Sequence, residues 1–388
     1  MSARRVLVVS EPMEYGVLSY LEHLLDGLDR ASWEPVLAHS PFRLAAQARR
    51  LVERLRARGV HVIELPFRRG AGPGDARAAL RLRAELRALR PAVMHLHSTK
   101  AGLAGRLVAR AAGVPVVYTP HGTSWHYTGA LVGRCQRALE RALRRRTDLL
   151  LAVCPEEADA FVREIRFPPD RVRVVRNGVR VPDRGALAAM RHAARTRLGL
   201  PDGSTWLLFV GRLTREKGLD VLLAALRQRI GADGLFVVGD GAERPRLEAA
   251  ARACAIPVRF AGYRDDVSPF LAAGDVLVQP SRSEGLPFSV LEAMGHGLPI
   301  VASRVGGVAA AVGTGGRTVP GGDVAALAAC LRDLLDDPAA RAAHAEAARA
   351  RAEAEFGLGR MLGAIQETYA DAAGTRARGA AARPARAA

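Results

Sequence analysis

The chain has 388 residues, 49% of them hydrophobic, and a formal net charge of +18. That length exceeds what one hydrophobic core sustains, so two domains of about 180 residues are expected, and no run approaches the roughly 20 apolar residues of a membrane-spanning helix. Of 57 basic residues all but Lys100 and Lys217 are Arg, so the charge reads first as solvated arginine on helix faces and second as attraction to an anionic membrane surface, with no nucleic-acid-reading module behind it.

Arg4 and Arg5 precede only four apolar residues before Ser10-Glu11-Pro12, too few for a signal-peptide core, and this run reads as a first buried strand. Short apolar runs at 6–10, 36–39, 60–65, 93–97, 116–119, 149–153 and 172–175 alternate with helical patterns, as in a parallel sheet covered on both faces. A helix is expected over 17–28. Leu44, Ala48, Leu51, Val52 and Leu55 share one helical face, as do Ala79, Leu82, Leu86 and Leu89. Over 134–146, Cys135, Ala138, Leu139, Ala142 and Leu143 line one side of a helix and Arg134, Arg137, Arg141, Arg144 and Arg145 the other. The apolar side is expected in the core, with a basic face resting on anionic lipid as the sharper alternative.

Around Asn177-Gly178 and Pro182 the pattern breaks, which bounds a first domain at 1–180 and a linker at 181–204. Alternation restarts at 206–210, 235–239, 258–261, 276–279, 300–303 and 317–319, giving a second domain over 205–356. A helix is expected over 357–370, and the aperiodic Ala, Arg, Gly and Pro of 371–388 read as a disordered tail. The fold class is therefore α/β, with two Rossmann-like, doubly wound domains. Ligands of such sheets sit beyond the carboxyl ends of the strands, so two domains facing each other are expected to form a cleft.

Two segments carry the chemistry. Residues 211–220 read Gly-Arg-Leu-Thr-Arg-Glu-Lys-Gly-Leu-Asp and place Arg212 and Lys217 just past a strand, where two cations can face a diphosphate. Residues 281–294 read Ser-Arg-Ser-Glu-Gly-Leu-Pro-Phe-Ser-Val-Leu-Glu-Ala-Met, with Glu284 in a glycine-containing turn and Glu292 eight residues on, inside a helix. A turn that opens a helix also aims free N–H groups and the positive dipole end at an anion.

On these motifs the chain resembles glycosyltransferase family 4, retaining enzymes of the GT-B fold, over residues 6–369, with Glu284 and Glu292 forming the family's Glu-x7-Glu pair. The resemblance implies that Arg212 and Lys217 hold the donor diphosphate, Glu292 the ribose and Glu284 the donor sugar. It places Gly211, Gly285 and Leu286 around the donor, and His121, in the His-Gly after the strand 116–119, near its sugar and phosphate. Gly16 before the helix 17–28 answers to a pair of glycines in the family, and Ala309-Ala310 stand where Pro-Glu is usual. The last helix of the fold crosses back onto the first domain. The segments 97–106 and 117–122 resemble bacterial members that build exopolysaccharide, capsule or O-antigen on a polyprenyl diphosphate.

The activity so implied moves a hexosyl or N-acetylhexosaminyl group from a UDP or GDP sugar to a saccharide or polyprenyl-linked acceptor hydroxyl, with no metal and no cofactor. His95 and His97 have the spacing of a metal pair on one strand face, but a structural role is favoured. Cys135, Cys154, Cys254 and Cys330 are widely spaced, which suggests reduced thiols of a cytoplasmic protein, peripheral at the inner membrane face if the basic helix binds lipid. A nucleotide-sugar 2-epimerase would share the donor site, although the Glu-x7-Glu pair favours transfer. An NAD-dependent oxidoreductase would need glycines that residues 10–16 lack. An inactive donor-binding scaffold subunit is the reading outside enzymes.

Overall fold

The computed structural model describes residues 3–42, 44, 46–68, 72–126 and 128–381. They divide into two compact units, Met1–Arg176 with Gly359–Ala388, and Asn177–Leu358.

In the first unit the strands are β1 (Arg4–Ser10), β2 (Trp33–His39), β3 (His61–Glu64), β4 (Val93–His97), β5 (Val116–Thr119), β6 (Leu149–Ala152) and β7 (Val172–Val174). They form a parallel sheet in the order β3-β2-β1-β4-β5-β6-β7. Val6, Leu7, Val8 and Val9 are all fully buried. A strand covered on both faces needs a continuous apolar run rather than an alternating one, which is why these strands were visible in the sequence. The helices are α1 (Tyr15–Gly27), α2 (Ala46–Ala57), α3 (Pro73–Leu89), α4 (Ser98–Ala112), α5 (Ala130–Leu143) and α6 (Pro155–Ile165). Ala78, Leu82 and Leu86 of α3 enter the core with Leu7, Val9, Leu96 and Tyr118.

Helix α5 is rotated relative to the expectation. Of its apolar side Leu143 alone is buried; Cys135, Ala138 and Ala142 are exposed and Leu139 is half-buried. The inward side is polar. Arg106 of α4 donates to both oxygens of Glu140, at 2.7 and 2.9 Å, and the Tyr118 hydroxyl adds a third hydrogen bond at 3.3 Å. Both members of the ion pair are buried. A bidentate pair of this kind dictates which side of a helix faces in, because leaving either charge buried alone costs more than exposing a few small apolar side chains.

The first α-helix of the second unit is α7 (Leu187–Leu198), so a helix occupies half of the expected linker. Its Arg191 and Arg195 reach Asp275 at 2.6 and 3.5 Å and the carbonyl of Ala273 at 3.4 and 3.1 Å. Strands β8 (Trp206–Val210), β9 (Gly234–Val238), β10 (Val258–Gly262), β11 (Val276–Gln279), β12 (Ile300–Ser303) and β13 (Gly316–Val319) form a parallel sheet in the order β10-β9-β8-β11-β12-β13. Around it lie α8 (Leu219–Ala225), α9 (Arg244–Ala251), α10 (Ser268–Ala273), α11 (Phe288–Gly295), α12 (Val308–Val312), α13 (Val324–Leu335) and α14 (Pro338–Glu355).

The last helix, α15 (Leu358–Ala381), belongs from Gly359 onward to the first unit. Met361, Ile365, Tyr369 and Ala372 are buried on one face of it, and the Gln366 side chain accepts from the Asp29 amide at 3.0 Å. The helix runs past the expected end at 370. Ala and Arg are strong helix formers, so a segment without apolar periodicity can still extend a helix already nucleated by packing. Residues 382–388 of the expected tail lie outside the described residues.

Candidate functional site

In each sheet the strand order reverses once, between β1 and β4 and between β8 and β11. Carboxyl ends of strands at such a reversal diverge and leave room for a ligand. The sequence-derived residues of the second unit gather there. Gly211 and Arg212 follow β8, Lys217 ends a 3-10 turn (Arg215–Lys217), and Glu284, Gly285 and Leu286 follow β11.

Lys217 Nζ lies 2.6 and 2.7 Å from the two carboxylate oxygens of Glu284. Glu284 Oε1 also accepts from Ser281 Oγ at 2.7 Å and from Gln279 Nε2 at 3.0 Å, and Ser289 Oγ donates to Gln279 Oε1 at 3.2 Å. Gln279 and Ser281 are buried. Oε1 is thus saturated, while Oε2 holds Lys217 alone among these contacts.

Two glycines admit the close approach of the loops. A Cβ on Gly218, at φ +69°, would stand 2.0 Å from the Pro280 carbonyl oxygen, and one on Gly306, at φ +49°, 2.0 Å from the carbonyl oxygen of Glu284. Both positions combine a left-handed backbone with no space for a side chain. Arg282 fastens the same loops: it donates to both Asp220 oxygens at 2.8 Å and to the Arg215 carbonyl at 2.8 Å, while its amide reaches the Glu216 carbonyl at 2.8 Å. Burial works against the Asp220 charge, but Arg282 overcomes it and holds the carboxyl below its usual range.

Leu286 is buried, and its carbonyl accepts from Asn177 Nδ2 at 2.6 Å. Glu292 sits within α11, half-buried, with its carboxyl pushed up to about 7 by burial and secondarily by the charge of Asp266. Sequence reasoning missed Gln279, Ser281, Asp220, Arg282 and Asn177. The first four lie inside or beside the quoted motifs, but their pairing is set by loop packing that no spacing encodes.

In the first unit, Gly16 falls in the first turn of α1 rather than in the loop before it, since the helix opens at Tyr15. His121 follows β5 in a left-handed conformation, φ +62°. The Gly122 amide donates to Glu157 Oε1, and the Val153 amide to Glu157 Oε2 at 2.7 Å. Burial pushes the Glu157 carboxyl up to about 7, against these two hydrogen bonds. His97 Nδ1 lies 2.9 Å from His121 Nε2. His95 is held at both nitrogens, 2.7 Å from the Tyr369 hydroxyl and 2.8 Å from Thr119 Oγ1. Burial pushes all three imidazoles down, His121 to about 3. They are neutral side chains packed against Tyr20, with ring centroids 6.3, 5.3 and 4.8 Å from it for His95, His97 and His121.

Each unit also resembles known proteins. Residues 15–178 match the family profile described as a glycosyl transferase 4-like domain, and residues 204–337 match glycosyl transferases group 1. D-inositol 3-phosphate glycosyltransferase of Xylanimonas cellulosilytica is 35% identical over 300 residues, 72% of each chain. Glycogen synthase of Mycobacterium tuberculosis is 34% identical over 315 residues, 77% of this chain and 73% of that protein. The crystal structure of Anabaena HepE in complex with UDP-glucose superposes with a TM-score of 0.78 at 20% identity, covering 95% of this chain and 100% of that one. With both units matched and the strand order of each sheet in place, the chain belongs to the family-4 glycosyltransferases of GT-B fold.

Proposed function

We propose that the chain transfers a hexosyl or N-acetylhexosaminyl group from a nucleotide diphosphate sugar to an acceptor hydroxyl, with retention at the anomeric carbon and without a metal ion. The observation that carries this reading is the convergence of Lys217 and Glu284 from the loops after β8 and β11, at the point where the strand order reverses. Arg212, Lys217 and the positive dipole end of α11 supply positive charge for the leaving diphosphate, the demand a divalent ion would otherwise meet. Glu284 Oε2 is the oxygen left for a sugar hydroxyl, and Glu292 takes the ribose. The C1–O bond to the diphosphate breaks as the acceptor oxygen bonds on the same face, and the acceptor proton passes to the leaving phosphate oxygen.

The Anabaena protein's complex with UDP-glucose makes a UDP sugar the first donor to try, ahead of GDP sugars. A polyprenyl-linked saccharide remains our reading for the acceptor; the relatives named for inositol 3-phosphate and glycogen make polyol and glucan hydroxyls its competitors. Transfer assays with each donor in excess EDTA test the reaction. A glycoside with the donor's anomeric configuration supports it; an inverted product, or turnover only with added metal, refutes the corresponding part.

Membrane attachment has its own observation. Leu131 and Val132 are 75% and 52% exposed, and with Cys135, Ala138 and Ala142 they leave an apolar stripe on α5 open beside exposed Arg134, Arg141 and Arg145. An apolar stripe flanked by arginine fits an anionic bilayer surface at the inner face of the cell membrane. Among the described residues no helix is long and apolar enough to cross a membrane. Flotation with phosphatidylglycerol vesicles at low salt should carry the chain up, and Leu131→Asp with Val132→Asp should abolish it; equal flotation of both proteins contradicts docking through α5.

A further inference from the structure

His97 is fully buried, and its Nε2 has no hydrogen-bond partner among the described residues. Its Nδ1 lies 2.9 Å from His121 Nε2, the two rings 5.2 Å apart and nearly parallel at 24°. Burial and the neighbouring His95 and His121 keep His97 neutral, so it carries one ring proton. If that proton were on Nε2, it would be a buried N–H with no acceptor. If it is on Nδ1, only a lone pair is left unpaired at Nε2, which costs less than an orphaned donor. His97 then donates from Nδ1 to His121 Nε2, and the single proton of neutral His121 is forced onto Nδ1.

His121 is half-buried, and among the described residues its Nδ1 has no partner. The backbone that aims it is fixed by its left-handed φ and by the Gly122 amide bound to Glu157. His95, its ring tilted at 45° to that of His97 with centroids 4.0 Å apart, has both nitrogens occupied and offers His97 no alternative partner.

We propose that His97 is a positioning residue which sets the tautomer of His121, so that His121 presents an N–H donor, and not a proton acceptor, to the sugar-phosphate of the donor. The donor's part in this rests on the proposed function; the tautomer does not. A donor at that nitrogen recognises an oxygen on the sugar or phosphate, and excludes His121 as a general base.

The test is long-range proton–nitrogen NMR on the full chain labelled with 15N-histidine at pH 7.5, with His121 assigned by the signals lost in His121→Gln. The expected spectrum has His121 protonated at Nδ1. His97→Phe should release it toward Nε2–H, and His97→Asn, whose amide nitrogen can stand where Nδ1 stood, should restore Nδ1–H. Protonation of His121 at Nε2 in the unsubstituted chain overturns the proposal without recourse to any variant, as does an unchanged tautomer in a folded His97→Phe. An Nδ1–H signal with no response to any nucleotide sugar upholds the tautomer and counts against the functional reading alone.

Discussion

Lys217 and Glu284 are each other's ion-pair partner, with both carboxylate oxygens within 2.7 Å of the ammonium. The cation expected on the diphosphate and the carboxylate expected on the sugar are therefore one electrostatic unit, held by Ser281 and Gln279 on one oxygen. Residues coupled in this way respond non-additively to substitution. Lys217→Ala is expected to lower kcat by about 10²-fold or more, as for loss of a preorganised charge-stabilising group. Adding Glu284→Gln should cost much less than it does alone. Fully additive losses in steady-state kinetics would mean that the two groups act separately.

Gly306→Ala should disrupt this site without unfolding the second unit. The new Cβ meets the Glu284 carbonyl at 2.0 Å in a left-handed backbone, so the turn bearing Glu284 must move. Gly363→Ala is the control, since it lies inside α15 and a Cβ there meets nothing within 4 Å. Within a helix that substitution should raise stability by about 0.5–1 kcal/mol. Paired thermal melts and donor titrations check both expectations.

The Arg106–Glu140 pair predicts an asymmetry in stability. Glu140→Leu alone leaves a buried guanidinium uncompensated and is expected to cost about 3–5 kcal/mol in urea unfolding. Arg106→Met combined with Glu140→Leu should recover most of that loss. A double variant no better than the single one would contradict the rotation of α5 described above.

Glu157 predicts a pH dependence. Its carboxyl is at about 7 in the folded chain against an ordinary value of 4.5. Between these values the folded state binds more protons than the unfolded one, so this group's contribution is fully favourable below pH 4.5 and declines until pH 7, by on the order of 3 kcal/mol in total. The buried histidines oppose it below pH 6.5, where the unfolded chain takes up protons that they refuse. Compared with Glu157→Gln, in which the histidine terms are the same and cancel, the unsubstituted chain should lose relative stability as the pH rises from 4.5 to 7. An identical slope in both proteins, measured by denaturant unfolding across that range, would leave Glu157 without this role.

Much of the fold could be read from the chain because its strands are buried on both faces: runs such as Val6–Val9 and 206–210 have no polar side to blur them. Gly211, Arg212, Lys217 and Glu284 were legible because each lies in a short turn directly after such a strand. What the sequence concealed depends on tertiary pairing. A helical wheel for α5 weighs Leu139 and Ala142 but cannot see that Glu140 answers Arg106 from another helix. The polar composition of α7 resembles a linker, yet Arg191 and Arg195 pay for its order by binding the carbonyls ahead of β11. Gln279 and Ser281 look like ordinary strand-end residues until the turn brings Glu284 back over them.

The most direct test of the donor site is calorimetric or thermal-shift binding of UDP, GDP, ADP and TDP sugars in EDTA, on the unsubstituted chain and on Arg212→Ala and Glu292→Ala. The account predicts that one nucleotide sugar, a UDP sugar first, stabilises the unsubstituted chain, and that the stabilisation is lost in both variants. Equal stabilisation of all three proteins would place the nucleotide elsewhere and contradict the site at β8 and β11.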